Sequence, residues 1–334
     1  MIPTMAHCTS SSNHRIVYHW VIGRGGMLGS SVERQLGRKE KVFGEHFQFN
    51  WSSQEESLQQ IVDAVGQFGQ LVADERWSLY WCAGVGTMSA SEDVLRREEL
   101  VVERLLSALR SDLGSRAANG TLFFSSSAGG VYAGSQMPPM TELTEVAALS
   151  DYGAQKLRLE EKYKQFASVT GAKVVIGRIA NLYGPFQNRL KGQGLVTSIC
   201  QQALLRKPVQ IFVGLDTLRN YIFVDDAAEV ILRLARTAHL RPDASVVTKV
   251  ICSSTNYSIS SILKECDSVF GFAPQIVLIR KQNEGAYPPD LRMKSVLELE
   301  ADSFERTPLI VGISRVWERL RREHQSDNLI GAKL

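Results

Sequence analysis

The feature that most constrains the fold is a short β-branched run that stops at glycines and restarts as a helix. Residues 16–22 are apolar and extended in character, Gly23-Arg24-Gly25-Gly26-Met27-Leu28-Gly29 follows at once, and residues 27–36 have helical spacing. A chain that turns this tightly from strand to helix places the amino terminus of the helix beside the carboxyl end of the strand. Unpaired backbone amides and partial positive charge gather there, and they attract a pyrophosphate if nothing bulky blocks the approach. Glycines at 23, 26 and 29 meet that need, the last by letting helix and strand pack closely.

The remainder of the amino half repeats the alternation. Strands are expected at 41–45, 47–51, 78–83, 121–125, 173–178 and 246–252, with helices at 53–68, 92–113 and 151–168. Such alternation predicts an α/β fold with a Rossmann-type doubly wound parallel sheet covered on both faces. After about residue 179 the rhythm changes to an irregular, Gly-rich stretch at 183–194, a helix at 195–206, an irregular-to-strand segment at 212–223 and helices at 224–235 and 258–270. The expected organisation is a disordered leader at 1–14, then a dinucleotide-binding domain over 15–180 rejoined by about 221–254. A smaller, mixed α/β substrate domain follows, assembled from 181–220 and 255–334.

Composition removes several function classes. The 334 residues carry 38 basic and 35 acidic side chains, well mixed, for a net charge of +3, which is no nucleic-acid surface. No stretch approaches the ~20 apolar residues of a membrane span, and the Ser-rich start lacks the apolar region of a secretory signal. The five cysteines are scattered without metal-ligand pairing, and the six histidines show no zinc spacing. A cytoplasmic protein with reduced thiols and no metal is expected, with Cys82 and Cys252 as buried strand residues.

The glycine turn defines the cofactor side. Gly23, Arg24, Gly26, Met27, Leu28 and Gly29 would surround a dinucleotide pyrophosphate, and Ala83 and Gly84, after a central strand, would border the same ligand. Glu45, near the end of the second strand, could accept bonds from an adenosine ribose diol, whereas Arg24, Lys41 and His46 could meet a 2′-phosphate, so both NAD and NADP remain open. Asn50 or Trp51 could contact the adenine.

The chemistry lies in Tyr152-Gly153-Ala154-Gln155-Lys156. Residues four apart share a helix face, so the phenol and the ammonium would project side by side. A free phenol titrates near ~10, and an adjacent cation brings phenolate toward the working range, which makes the pair a proton-transfer device. Ser127 could bond the same substrate oxygen.

Taken with these residues, the chain resembles the extended short-chain dehydrogenase/reductase family of NAD-dependent epimerases and dehydratases acting on nucleotide sugars. The resemblance runs from about residue 16 to about 317. It is carried by the glycine turn, Trp81-Cys82-Ala83-Gly84, Ser125-Ser126-Ser127 leading to Val131-Tyr132, Tyr152 with Lys156, Arg178-Ile179-Ala180-Asn181-Leu182-Tyr183-Gly184-Pro185, and Arg219 to Asp226. It implies Tyr152 as acid/base, Lys156 as a clamp on the cofactor that also lowers the phenol pKa, and Ser127 as the oxygen-binding partner. Ser126 is the alternative, because Ala128-Gly129-Gly130 makes the interval before Val131 one residue longer than usual. Asn181 and Arg219 resemble the positions that grip the sugar nucleotide, the arginine on its diphosphate. Asp225 and Asp226 read as a helix cap. Ala128-Gly129 supplies neither acid nor base where the 4,6-dehydratases carry an Asp-Glu pair. The extra Cys and His of the GDP-fucose synthase type are also missing, and the helix at 92–113 shows Arg97-Glu98-Glu99 where the family often has an asparagine. The resemblance therefore implies hydride removal and return at one sugar carbon, with C4 favoured, on a nucleotide-diphosphate sugar. A 4-ketoreductase and a non-catalytic dinucleotide sensor are the alternatives. It also implies a homodimer packed through the helices at 92–113 and 151–168, with Leu95, Val102, Leu105, Leu106, Leu109, Leu157 and Phe166 as candidate apolar residues.

Overall fold

The computed structural model of the protein describes residues 16–37, 40–44, 47–84, 90–187, 194–241, 244–279, 288–297 and 300–331. Glu45 and His46, the candidate ribose and phosphate contacts after the second strand, lie outside the described residues, as does Cys8. In chain order the amino half contains β1 (Val17–Ile22), α1 (Met27–Leu36), β2 (Lys41–Phe43), α2 (Gln54–Val72), β3 (Arg76–Trp81), α3 (Glu92–Leu113), β4 (Gly120–Ser127), α4 (Ala128–Val131), α5 (Asp151–Thr170) and β5 (Lys173–Ile179). There follow β6 (Asn181–Tyr183), α6 (Leu195–Leu204), β7 (Val209–Ile211), β8 (Leu218–Phe223), α7 (Val224–Ala238), β9 (Val246–Ile251), β10 (Asn256–Ser258), α8 (Ile259–Phe270), β11 (Ile276–Leu278), β12 (Asp290–Leu291) and α9 (Leu309–Gly331).

Six strands form one parallel sheet in the order β2-β1-β3-β4-β5-β9. Its strands are apolar on both faces, because each face is covered by helices. Along β3, Trp77, Leu79 and Trp81 enter the core beneath α2, α3 and α5, while Tyr80 enters the opposite core with α1 and α7. Along β4, Leu122 and Phe124 face the first core and Phe123 the second. The strand order reverses between β1 and β3, which opens a crevice at the carboxyl ends of the strands where a ligand can lie.

Beyond β5 the chain builds a second layer around a third core. There α6, α8 and α9 pack with β7 and β8 through Val196, Ile199, Phe223, Ile262, Ile313 and Val316. Strand β8 pairs with β6, β10 and β12, outside the large sheet. The chain then returns to the large sheet, because α7 packs on α1 and β9 adds its edge strand.

Several sequence expectations differ in detail. Residues 47–51 form no strand. Gly44, at φ +85, ends β2, and Phe47 bonds back to its carbonyl at 3.0 Å. The alternate aromatic residues that mimic a strand period instead pack on one another and on the core, Phe43 to Phe47 at 5.5 Å and Phe49 to Trp51 at 5.1 Å, with rings tilted. Ser53 caps α2 through the Glu56 amide. Asp225 and Asp226 lie in the first turn of α7 without capping it. Asp225 binds Ser31 and Arg34 on α1, and Asp226 accepts from the Thr307 amide and hydroxyl. Cys82 and Cys252 are half-buried just past their strands, and the fully buried thiols are Cys200 and Cys266 on helices. Of the residues that suggest a dimer face, Leu95, Val102, Leu105, Leu106, Leu109 and Phe166 are buried in the chain's own core, and Leu157 is half-buried against it. The outward face of α3 and α5 carries the ion pairs Glu99–Arg158 and Glu103–Lys162.

Candidate active site

The glycine turn folds as a cradle with no room for a side chain at residues 23 and 29. Gly23 has φ +94, and a Cβ there would fall 2.4 Å from the Ala83 nitrogen. A Cβ on Gly29 would fall 2.2 Å from the Gly23 carbonyl oxygen. Gly26 is the amino-terminal cap residue of α1 and donates its own amide to Gly23 O at 2.9 Å, so the amides of the first turn of α1 face outward over the sheet. Met27 packs against Gly184 and Leu28 is buried at the rim of the crevice. This backbone surface fits a dinucleotide pyrophosphate. Arg24 is turned aside from it, bound to Glu33 on α1 and to the Gly44 carbonyl at 3.1 Å, where β2 ends. Asn50 is exposed and holds the entry to α2, donating to Glu56 at 2.9 Å and accepting from the Ser52 amide. Trp51 sits edge-on to Trp81 with its other side to solvent.

The carboxyl ends of β3, β4 and β5 then meet. A cavity of about 220 Å³ is lined by Leu28, Cys82, Ala83, Gly84, Ser125, Ser126, Ser127, Tyr152, Lys156, Ile179, Ala180 and Leu182. Tyr152 and Lys156 come from the first turns of α5, whose amino terminus is capped by Ser150 through the Gly153 amide at 3.2 Å. The Lys156 ammonium lies 5.6 Å from the centre of the Tyr152 ring and 5.2 Å from that of Phe124. It is also paired with the buried carboxylate of Glu98 on α3, at 2.9 Å. Burial alone would push this ammonium down, but Glu98, with Tyr152 and Glu160, holds it above its ordinary value of 10.5.

The two serines separate by strand alternation. Ser126, like Leu122 and Phe124, points toward α5, where its hydroxyl donates to the buried Glu160 at 2.6 Å. Ser127 points to the crevice and accepts the Gly130 amide at 3.1 Å, capping α4. The extra residue before Val131 is taken up in that helical turn. All three serines line this cavity, but the Ser126 hydroxyl is engaged with Glu160, whereas Ser127 also lines the space beyond it.

A second cavity, of about 150 Å³, adjoins the first and shares Ser127, Ile179 and Ala180 with it, and Gly129, Asn181, Arg219 and Met293 complete much of its wall. Asn181 donates to the Asn220 carbonyl at 2.9 Å, which steadies the start of β6. The Arg219 guanidinium bonds the Leu218 carbonyl at 2.8 Å, and burial lowers its pKa, with Tyr221 and Asp290 acting against that. Both side chains therefore border one space with Ser127.

Sequence reasoning missed the supports beneath these residues. Glu160, one turn beyond Lys156, accepts from Arg178 Nη2 at 2.7 Å, and Arg178 reaches on to the Tyr132 hydroxyl at 2.7 Å. Burial disfavours the Arg178 charge, but Glu160 more than offsets this, so the guanidinium stays charged. Asn220, fully buried, accepts the Ser253 amide and donates to Ser253 and Thr255 carbonyls, joining β8 to the end of β9. Glu142 accepts from the Val250 and Val296 amides at 3.0 and 2.8 Å and from the Ser295 hydroxyl, pinning the segment that supplies Met293 to the second cavity. The sequence signals for Arg178 and Asn220 were their places in the Arg178-to-Pro185 and Arg219-to-Asp226 motifs; Glu142 carried none.

With this geometry in place, comparison with known proteins is informative. Residues 20–247, more than half of the chain, match the model of the NAD dependent epimerase/dehydratase family. The chain belongs to that family. Among curated relatives, a dTDP-L-rhamnose 4-epimerase of Burkholderia thailandensis is 26% identical over 44% of this chain and 44% of its own length. GDP-mannose 3,5-epimerase 1 of Oryza sativa subsp. indica is 24% identical over 66% of this chain and 62% of its own length. The chain spans less than two thirds of the length of the curated relatives it matches. Among solved structures, UDP-glucose 4-epimerase of Thermus thermophilus in complex with NAD superposes with a TM-score of 0.71 at 18% identity, covering 91% of this chain and 98% of that one. RMD from Pseudomonas aeruginosa, complexed with NADPH, gives 0.73 at 18% identity, covering 92% and 99%. At these identities the structures speak for the shared fold. Among the described residues no cluster of potential metal ligands occurs, and no helix is long and apolar enough to cross a membrane.

Proposed function

We propose that this family member is a nicotinamide-dinucleotide-dependent nucleotide-sugar epimerase that inverts one sugar carbon, with C4 favoured, using Tyr152 as acid/base. The observation that carries this reading is the pair of adjoining cavities joined at Ser127. One is lined by Leu28 of the glycine turn, Ala83, Gly84, Tyr152 and Lys156, the other by Asn181 and Arg219. When bound, the dinucleotide would supply reversible hydride acceptance next to Tyr152. Ser127 would donate to the sugar oxygen, Tyr152 would take the hydroxyl proton as the carbon is oxidised and return it when the carbon is reduced, and Lys156 would hold the cofactor ribose and stabilise the phenolate. Arg219, its charge partly desolvated, suits a diphosphate. Relatives named as 4-epimerases of UDP-glucose and dTDP-L-rhamnose support this substrate class.

The test is incubation of the purified protein with a panel of nucleotide sugars and chromatographic separation of the epimers, for wild type and Tyr152→Phe. Epimer formation in wild type that falls at least ~10²-fold in the variant is expected for loss of the acid/base. Undiminished turnover by Tyr152→Phe would refute the assignment. Consumption of added NADPH or NADH with a 4-keto sugar, without epimer formation, would move the protein to the ketoreductases. Dinucleotide binding without turnover on any sugar would make it a sensor.

A further inference from the structure

The Lys156–Glu98 pair is unusual chemistry for a site that needs a cation. A lysine that favours phenolate does so by its positive charge. Here that charge lies 2.9 Å from a carboxylate, and the side chains are only 5% and 4% exposed, so solvent cannot screen one from the other. Among the described residues the groups facing Lys156 are few. Glu98 comes from α3 and Tyr152 and Glu160 from α5, and the Glu160 charge is already answered by Arg178 on β5. Beside β3, burial pushes the Cys82 thiol far up and keeps it neutral. From β4 come Phe124, whose ring faces the ammonium, and Ser126, bound to Glu160. Glu98 is therefore the carboxylate that directly offsets the Lys156 charge beside the Tyr152 ring. Glu98 also lies against Gly84 at the cofactor edge of the cavity, with a Gly84 Cβ position 3.6 Å from Oε1.

We infer that Glu98 is a positioning residue for Lys156: it anchors the ammonium between α3 and α5 and offsets its charge, so that proton transfer at Tyr152 switches on at a higher pH than an unpaired lysine would allow. This rests on the proposed role of Tyr152 and deepens it. The sign follows from charge alone. Replacing Glu98 by a neutral residue leaves Lys156 as an uncompensated cation beside the phenol, which favours loss of the phenolic proton. One unit charge removed at this range is worth on the order of one pH unit.

The experiment follows tyrosinate absorbance against pH in the NAD-bound protein, with the Tyr152→Phe spectrum subtracted, for wild type and Glu98→Gln. Burial pushes Tyr80, Tyr163 and Tyr183 far up, so these phenols ionise late and leave the difference signal clear. The Glu98→Gln curve is expected on the order of one pH unit below wild type. Superimposable curves, or a shift to higher pH, would overturn the inference. Glu98→Asn, shorter and equally neutral, gives the same comparison if the glutamine variant does not fold. The measurement needs no turnover, so a wrong substrate assignment leaves it intact, and the Tyr152→Phe activity test fails or succeeds separately.

Discussion

A close backbone approach beneath the site lies between Gly153, the residue after Tyr152, and Gly130 on α4. A Cβ at 153 would stand 2.2 Å from the Gly130 carbonyl oxygen and 2.9 Å from its carbon. Gly153→Ala must therefore drive α5 and α4 apart by about 1 Å before that contact reaches van der Waals distance. The two elements carry different halves of the chemistry, because α5 holds Tyr152 and Lys156 while the Gly130 amide holds the Ser127 hydroxyl. Overpacking of this kind costs about 1–3 kcal/mol, and alanine in place of glycine within a helix returns up to about 1 kcal/mol. Net destabilisation is thus small, while a displacement of about 1 Å between reacting groups can lower turnover about 10²-fold. Gly153→Ala is expected to fold, to melt within several degrees of wild type and to lose most epimerisation. Gly66→Ala on α2, whose Cβ meets Asp112 at an ordinary 3.7 Å, serves as the control and keeps its activity. Turnover of Gly153→Ala within twofold of wild type on the same substrate would refute the claim that this contact sets the Ser127–Tyr152 spacing.

Two further outcomes test the frame around the site. Arg178→Met leaves the buried Glu160 carboxylate without its ion pair, with Ser126 as its remaining hydrogen-bond partner among the described residues, so urea unfolding should show a loss of about 3–5 kcal/mol, largely recovered when Glu160→Leu is added; an unchanged midpoint in the single variant would contradict this. For Glu142, burial raises the carboxyl pKa, but the bonds from Ser295, Val296 and Val250 outweigh it and hold it below the ordinary 4.5. Its contribution is therefore fully present above pH 4.5 and is lost as pH falls through the lower folded value. Thermal melts of wild type should fall more steeply below that pH than those of Glu142→Gln, and parallel curves would be the contrary result.

The large sheet was legible because its signals are local. Periods of two and 3.6, glycines at a turn and capping serines act over a few residues; the strand-turn-helix at 17–36 shows the periods and the glycines, and Ser53 and Ser150 show the caps. The aromatic stretch at 47–51 misled because Phe47, Phe49 and Trp51 alternate like a half-buried strand while Gly44 has already ended the ladder. The site was legible where one helix or one turn fixes the spacing, as for Tyr152 with Lys156 and the three glycines. It was not legible where partners come from distant segments. Glu98 meets Lys156 across 58 positions, Glu142 meets Ser295 across 153, and Asn220 meets Ser253 across 33.

The same distinction explains why Ser126 and Ser127 could not be told apart from sequence. Adjacent residues on a strand face opposite sides, so their roles depend on register, and register here is set from outside the strand. Phe124 and Leu122 commit their face of β4 to the core under α5, which sends Ser126 to Glu160. The extra residue ahead of Val131 could have slipped Ser127 out of reach, but Ala128–Val131 winds it into a helical turn, which Ser127 itself caps. The Gly130–Gly153 contact then ties that turn to the helix bearing Tyr152. A change in loop length at this point is thus absorbed without moving the cavity-facing hydroxyl, provided both contact residues stay glycine.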